Sequence, residues 1–184
     1  MIKFKHILLS TLAATAMANT FAADESLTVN GGSVHFEGSI VATPCVVTQN
    51  DQNKPVPLGD FQTSKFTGKG STSAPVQFDI ELISCDVTTY SNVALTFKGI
   101  TLPGESTILA PAAVESSDTV ASGVGIQILQ DSEVVNVDGN KATAPFKLLE
   151  GSNKLSFQAQ YVSTSAEVAP GSANATVDFL MTYN

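Results

Sequence analysis

The sequence predicts an all-β protein, an antiparallel sandwich of many short strands, and three observations lead there. Apolar residues alternate with polar ones in several separate stretches, the period of a strand with one buried face. Those stretches recur at spacings of roughly 8–12 residues with turn-rich segments between them, as sandwich strands do. No window sustains the 3.6-residue period of an amphipathic helix.

The chain opens on a segment set apart from that pattern. Lys3, Lys5 and His6 precede an apolar run over residues 7–14, which passes into Ala16, Met17 and Ala18. This grading from charged to apolar to small is that of a secretory signal, and the run falls short of the roughly 20 residues that span a bilayer. Cleavage is expected after Ala22, with Ala18 and Ala23 as alternatives, so residues 1–22 are assigned to the signal. Nothing further along is long and apolar enough to enter a bilayer, and the exported part is expected to be soluble and of single-domain size. All 17 acidic residues stay with it while two lysines leave, so its net charge is more negative than the −8 of the whole chain. There is no arginine, hence none of the bidentate forks that grip phosphate and carboxylate. Nucleic acid and anionic membranes are therefore poor partners, and the charge serves solubility.

Residues 27–30 read as extended but weakly amphipathic, and Gly31-Gly32 interrupts them before Val34 and Phe36 resume the alternation. Paired glycine of this kind marks a bulge, a bend or the close approach of another backbone; the alternative is a tail leading into a first strand at Ser33. Residues 49–57 read as a loop, residues 58–61 as a short element, and residues 68–73 as an exposed turn. Val76, Phe78, Ile80 and Leu82 form the clearest interior strand, running into Cys85, and Val93, Leu95 and Phe97 form the next. Residues 103–122 are polar and turn-rich, with residues 111–114 the one place for a helical turn. A strand at 125–129 is followed by a hairpin predicted at 134–137 with Asp138-Gly139 as its turn. Strands at 146–149 and 155–162 complete the interior, and a loop over 163–175 leads to the last strand. There Val177, Phe179, Met181 and Tyr183 share one face while Thr176, Asp178, Leu180 and Thr182 share the other. A one-sided apolar strand with no successor leaves an edge to be covered from elsewhere.

Cys45 and Cys85 both lie in the exported portion, where an even pair reads as one disulfide; two free buried thiols are the alternative, and the spacing matches no zinc pattern. No catalytic set and no metal or cofactor site is expected. His35 is the one histidine beyond the signal, no G-x-S-x-G elbow is present, and no carboxylate pair has the apolar flanks of a tuned acid–base couple. Asn174-Ala175-Thr176 fits a glycosylation acceptor, a triplet common by chance.

At this point the residues resemble a known family, the subunits of fimbriae assembled by the chaperone–usher pathway, most closely the major subunit of type 1 fimbriae. The likeness runs through residues 27–38 (LTVNGGSVHFEG), Pro44-Cys45, Leu58-Gly59, Cys85-Asp86, residues 124–129 (VGIQIL), residues 157–161 (FQAQY), Gly171 and the penultimate Tyr183. The resemblance implies an incomplete immunoglobulin-like sandwich lacking its final strand, and a structural, non-enzymatic subunit exported through the periplasm to a surface fimbria. It implies three partners: neighbouring subunits in a homopolymer, a periplasmic chaperone and an outer-membrane usher. Residues 23–36 would be an N-terminal extension running into the first strand, and residues 37–184 the pilin domain. The donor segment would comprise Leu27, Thr28, Val29, Asn30, Gly31, Gly32 and Val34. The family's small residue matches Gly32 and puts Thr28, Asn30 and Val34 on the inserted face, whereas hydrophobicity alone would choose Leu27 and Val29. The acceptor groove and chaperone-binding strand would comprise Gly171, Val177, Phe179, Met181, Tyr183 and Asn184, with Asn184 as the chaperone's docking end. A minor adaptor subunit, and in another class a monomeric secreted sandwich binding sugar or protein, are the alternatives.

Overall fold

A computed structural model describes residues 27–38, 40, 42–113, 115 and 118–184; the signal segment and its cleavage site lie outside them. The chain divides into two units, Met1–Ile40 and Val41–Asn184. In the first, the described residues carry neither helix nor strand and their side chains are exposed. No strand begins at Ser33, because a β-strand is defined by a partner and these residues are paired with none among those described.

Among its described residues, the second unit holds eight strands in two antiparallel sheets. One has the order β1(Val46–Val47), β2(Val76–Cys85), β7(Gly151–Ser163), β4(Val124–Gln130), β5(Glu133–Val134); the other has β6(Phe146–Lys147), β3(Asn92–Gly99), β8(Val177–Tyr183). The period-2 stretches turn inward the residues that alternation selects, burying Ile80, Leu82, Val93, Leu95, Phe97, Leu155 and Phe157 and half-burying the set on β8. Phe157 of β7 joins the sheets. Its ring lies 5.7 Å from that of Phe78 in the first sheet, and 5.1 and 5.4 Å from Phe97 and Phe146 in the second. The first pair is stacked and the other two edge-to-face, and such ring contacts add to the burial that drives the sheets together.

Cys45 and Cys85 form the disulfide, and both are buried. Strict alternation would put Leu82 and Cys85 on opposite faces, since they are an odd number of residues apart. The register of β2 against β7 shifts between these two residues, and Ser84 takes a left-handed φ of 54°. This bulge turns Cys85 inward beside Leu82, where Cys45 can reach it.

Three elements differ from expectation. The hairpin joining β4 to β5 turns at Asp131 and Ser132, whose φ values of 51° and 70° are the paired positive angles of a type I′ turn. Asp138-Gly139 serves elsewhere: the Gly139 amide donates to the Phe97 carbonyl at 2.9 Å, on the outer side of β3. Residues 111–113 form no helical turn; Ala112 instead bridges to Asn174. Within residues 49–57, expected to be loop, Gln49–Gln52 is a short helix, α1.

That helix explains a buried charge. β1 meets β2 for two residues, the Thr48 amide then donates to the Glu81 carbonyl, and the next rung is made by a side chain. The Glu81 amide donates to Oδ2 of Asp51 at 2.6 Å, while Lys54 Nζ donates to Oδ1. Asp51 is only 4% exposed. Burial pushes its carboxyl up, but the bonds from Lys54, the Glu81 amide and Thr48 outweigh burial and hold it below the ordinary 3.8. A carboxylate depressed in the folded state contributes stability above its unfolded value, and that contribution disappears as pH falls through the lower folded value. Thermal unfolding should therefore be insensitive to this group above about pH 4 and weaken below it. Asp51→Ala, which strands the Glu81 amide, should cost about 1–3 kcal/mol at neutral pH. An Asp51→Asn chain should lose this part of the acid sensitivity.

Candidate functional site

The expected acceptor strand is β8, and it is the edge of its sheet. Its neighbour on one side is β3, in the register Val93 with Tyr183, Leu95 with Met181, Phe97 with Phe179 and Gly99 with Val177. Asn92 and Asn184 exchange both backbone bonds, at 2.9 and 3.1 Å. In an antiparallel ladder such exchange recurs at every second pair, so the bonded pairs are Ala94 with Thr182, Thr96 with Leu180 and Lys98 with Asp178. The remaining residues of β3 turn their backbones the other way: the Leu95 and Phe97 carbonyls accept from Thr143 and Gly139, and the Gly99 amide donates to Val137. The N–H and C=O groups of Val177, Phe179, Met181 and Tyr183 must likewise point away from β3, along a free edge.

Those four residues also carry the inward side chains. Each is half-buried and packs against the core, while Asp178, Leu180 and Thr182 are exposed. Backbone valence and apolar surface thus coincide on one set of residues.

Beside this edge lies an open groove of about 1120 Å³. Val177 and Phe179 line it, as do core side chains including Ile80, Phe97 and Ile128, and the other wall includes residues 53–61. That wall is paired into no strand among the described residues, and Pro55 and Pro57 have no N–H to offer a ladder. Asp60 lies on it, and Tyr161 titrates high because it is partly buried and because the Asp60 charge opposes a phenolate.

The predicted acceptor residues divide as follows. Gly171, Val177 and Phe179 line the groove. Met181 and Tyr183 continue the same face of β8 beyond it, where burial also raises the Tyr183 phenol. Asn184 closes the ladder, its carbonyl accepting from the Ser91 and Asn92 amides at 3.2 and 2.9 Å. At Gly171 a Cβ would stand 2.5 Å from the Ala121 nitrogen and 2.5 Å from the Thr119 oxygen, so the chain around it approaches as only glycine allows. The expected donor residues Leu27, Thr28, Val29, Asn30, Gly31, Gly32 and Val34 are all exposed, on both parities. Residues 53–61 line the groove without any signal in the sequence, because a polar, proline-broken stretch carries no period to flag it.

An edge strand beside an open apolar groove, in an antiparallel two-sheet protein, defines a sandwich that can accept a further strand. The chain belongs to the Fimbrial protein family, whose pattern it matches over residues 34–184. It is 38% identical over 184 residues to the fimbrial subunit type 1 of Salmonella typhimurium, covering 97% of this chain and 99% of the relative. Among solved structures it resembles a chaperone–usher pilus at a TM-score of 0.73, with 26% identity over 87% of this chain and 99% of the other. It also resembles the P pilus rod subunit PapA at 0.65, with 26% identity over 77% of this chain and 100% of the other. The chain is thus a structural subunit of a surface fimbria with an immunoglobulin-like fold.

Proposed function

We propose that the groove beside β8 is the acceptor half of a joint between successive subunits, and that residues 23–34 of the next subunit are the donor half. The observation that carries this reading is the coincidence on Val177, Phe179, Met181 and Tyr183 of unpaired backbone groups and inward apolar side chains. An added strand satisfies both at once, which is β-augmentation. Left open, the same edge invites aggregation. A periplasmic chaperone therefore covers it before assembly and an outer-membrane usher exchanges the chaperone for the next subunit. Because donor and acceptor are different segments of the chain, the contact is head-to-tail and generates a filament rather than a closed pair. The role is mechanical rather than catalytic: the ionisable side chains with a structural task, such as Asp51, are engaged in holding the fold. Deleting the gene tests the role directly. Surface filaments should vanish from electron micrographs if this is the shaft subunit, whereas filaments that persist would make it a minor one.

A further inference from the structure

Asn30 followed by Gly31 is the one Asn-Gly pair in the chain. The Gly32 amide donates to Asn30 Oδ1 at 3.0 Å, an Asx turn that folds the carboxamide back over the Gly31 peptide. Asn30 is exposed, and a Cβ built on Gly31 would meet nothing within 4 Å, so neither the carboxamide carbon nor the Gly31 nitrogen is shielded. Among the described residues the Gly31 amide donates to no acceptor. The other residue before a glycine with a comparable side chain, Asp138, shows the contrast. Its carboxylate is held by the Asn140 amide and side chain, and the Gly139 nitrogen is committed to the Phe97 carbonyl.

We propose that Asn30 is a deamidation site of the unassembled subunit, one that marks and disables subunits left waiting for a partner. Hydroxide removes the Gly31 amide proton and the nitrogen attacks Asn30 Cγ. The Cγ–N bond of the carboxamide breaks, ammonia leaves with a proton from water, and a cyclic succinimide remains. A second water opens the ring at either carbonyl, giving aspartate, or isoaspartate with one more methylene in the main chain. The hydrogen bond that Asn30 Oδ1 accepts from the Gly32 amide polarises the carbonyl toward attack. The consequence for assembly rests on the reading of residues 23–34 as the donor strand. There, either product harms the joint: a carboxylate is costly against an apolar groove, and an added main-chain atom breaks the ladder register. Insertion in turn protects the site, since an extended ladder-bonded strand cannot close the five-membered ring.

The purified full chain, held as a dilute monomer in mildly alkaline buffer, and filaments assembled from it would be followed in parallel by peptide mass spectrometry. In the monomer, Asn30 should deamidate at least several-fold faster than any other asparagine, and Gly31→Ala should slow it without altering the fold. Deamidation at Asn30 no faster than at Asn153, or a rate indifferent to Gly31→Ala, would overturn the proposal. Filaments should show strong protection. Fast deamidation in monomer and filament alike would leave the modification standing and remove the donor-strand reading of this segment.

Discussion

Phe179→Asp is expected to abolish filaments while leaving a folded subunit. Phe179 is half-buried in the free subunit, faces Phe97 across a non-bonded ladder pair, and lines the groove. In the isolated chain a carboxylate there keeps contact with water through the open side. Once a strand is inserted, that water is expelled and the charge has no partner, a cost of several kcal/mol for an unpaired buried ion. The matched control is Leu180→Asp, the next residue of the same strand, whose side chain is 55% exposed on the outer face. It brings the same charge and the same loss of strand propensity. Leu180→Asp should still be stabilised by a supplied donor peptide and Phe179→Asp should not, read as a shift in melting temperature. Equal behaviour of the two would mean that the face assignment of β8 is wrong.

Replacing both cysteines with serine should produce the largest loss of stability. The bridge closes a loop with a sequence separation of 40, for which the chain-entropy relation gives about 4 kcal/mol. For a domain of this size that corresponds to a fall of roughly 8–16 °C in melting temperature. The effect reaches the site, because the closed loop contains β1, α1, the groove wall at residues 53–61 and most of β2. Removing the bridge frees that wall in the unfolded ensemble and leaves two buried polar hydroxyls where sulfurs packed at 1% and 2% exposure. Thermal unfolding of the double variant against the oxidised chain measures it. A fall of only a degree or two would show that the wall is held by its other contacts, Asp51 foremost.

How much of this was legible in the sequence depends on whether one face of an element is buried. Val76 to Leu82, Leu155 to Tyr161 and Val177 to Tyr183 each set apolar side chains on one face and mostly polar ones on the other, so period two marks them as strands. The 4–5 hairpin was not found, because Asp131 and Ser132 adopt paired positive φ without a glycine between them. The Asp-Gly signal that drew attention instead serves a turn against β3. Asp51 was invisible because its neighbours Asn50, Gln52 and Asn53 are solvated, and only the fold brings the Glu81 amide to it. The one-sided face of β8 is legible because it is one strand with period two; the segment at residues 53–61 is not, because its place is set by where an unpaired stretch comes to rest. The register of the donor segment is not favoured by its surroundings either way, since Leu27 and Val29 are exposed at 87% and 71% and Val34, of the other parity, at 79%. An inserted strand acquires its inward face only from the groove it enters.

In the proposed joint, residues 23–34 of another molecule supply the strand that this fold lacks. Its most direct measurement is the melting temperature of the chain lacking residues 1–36, with and without a synthetic peptide of residues 23–37. A large rise that grows with peptide concentration is expected, as ligand linkage requires, and none from a scrambled peptide of the same composition. A melting temperature unmoved at peptide excess would contradict it.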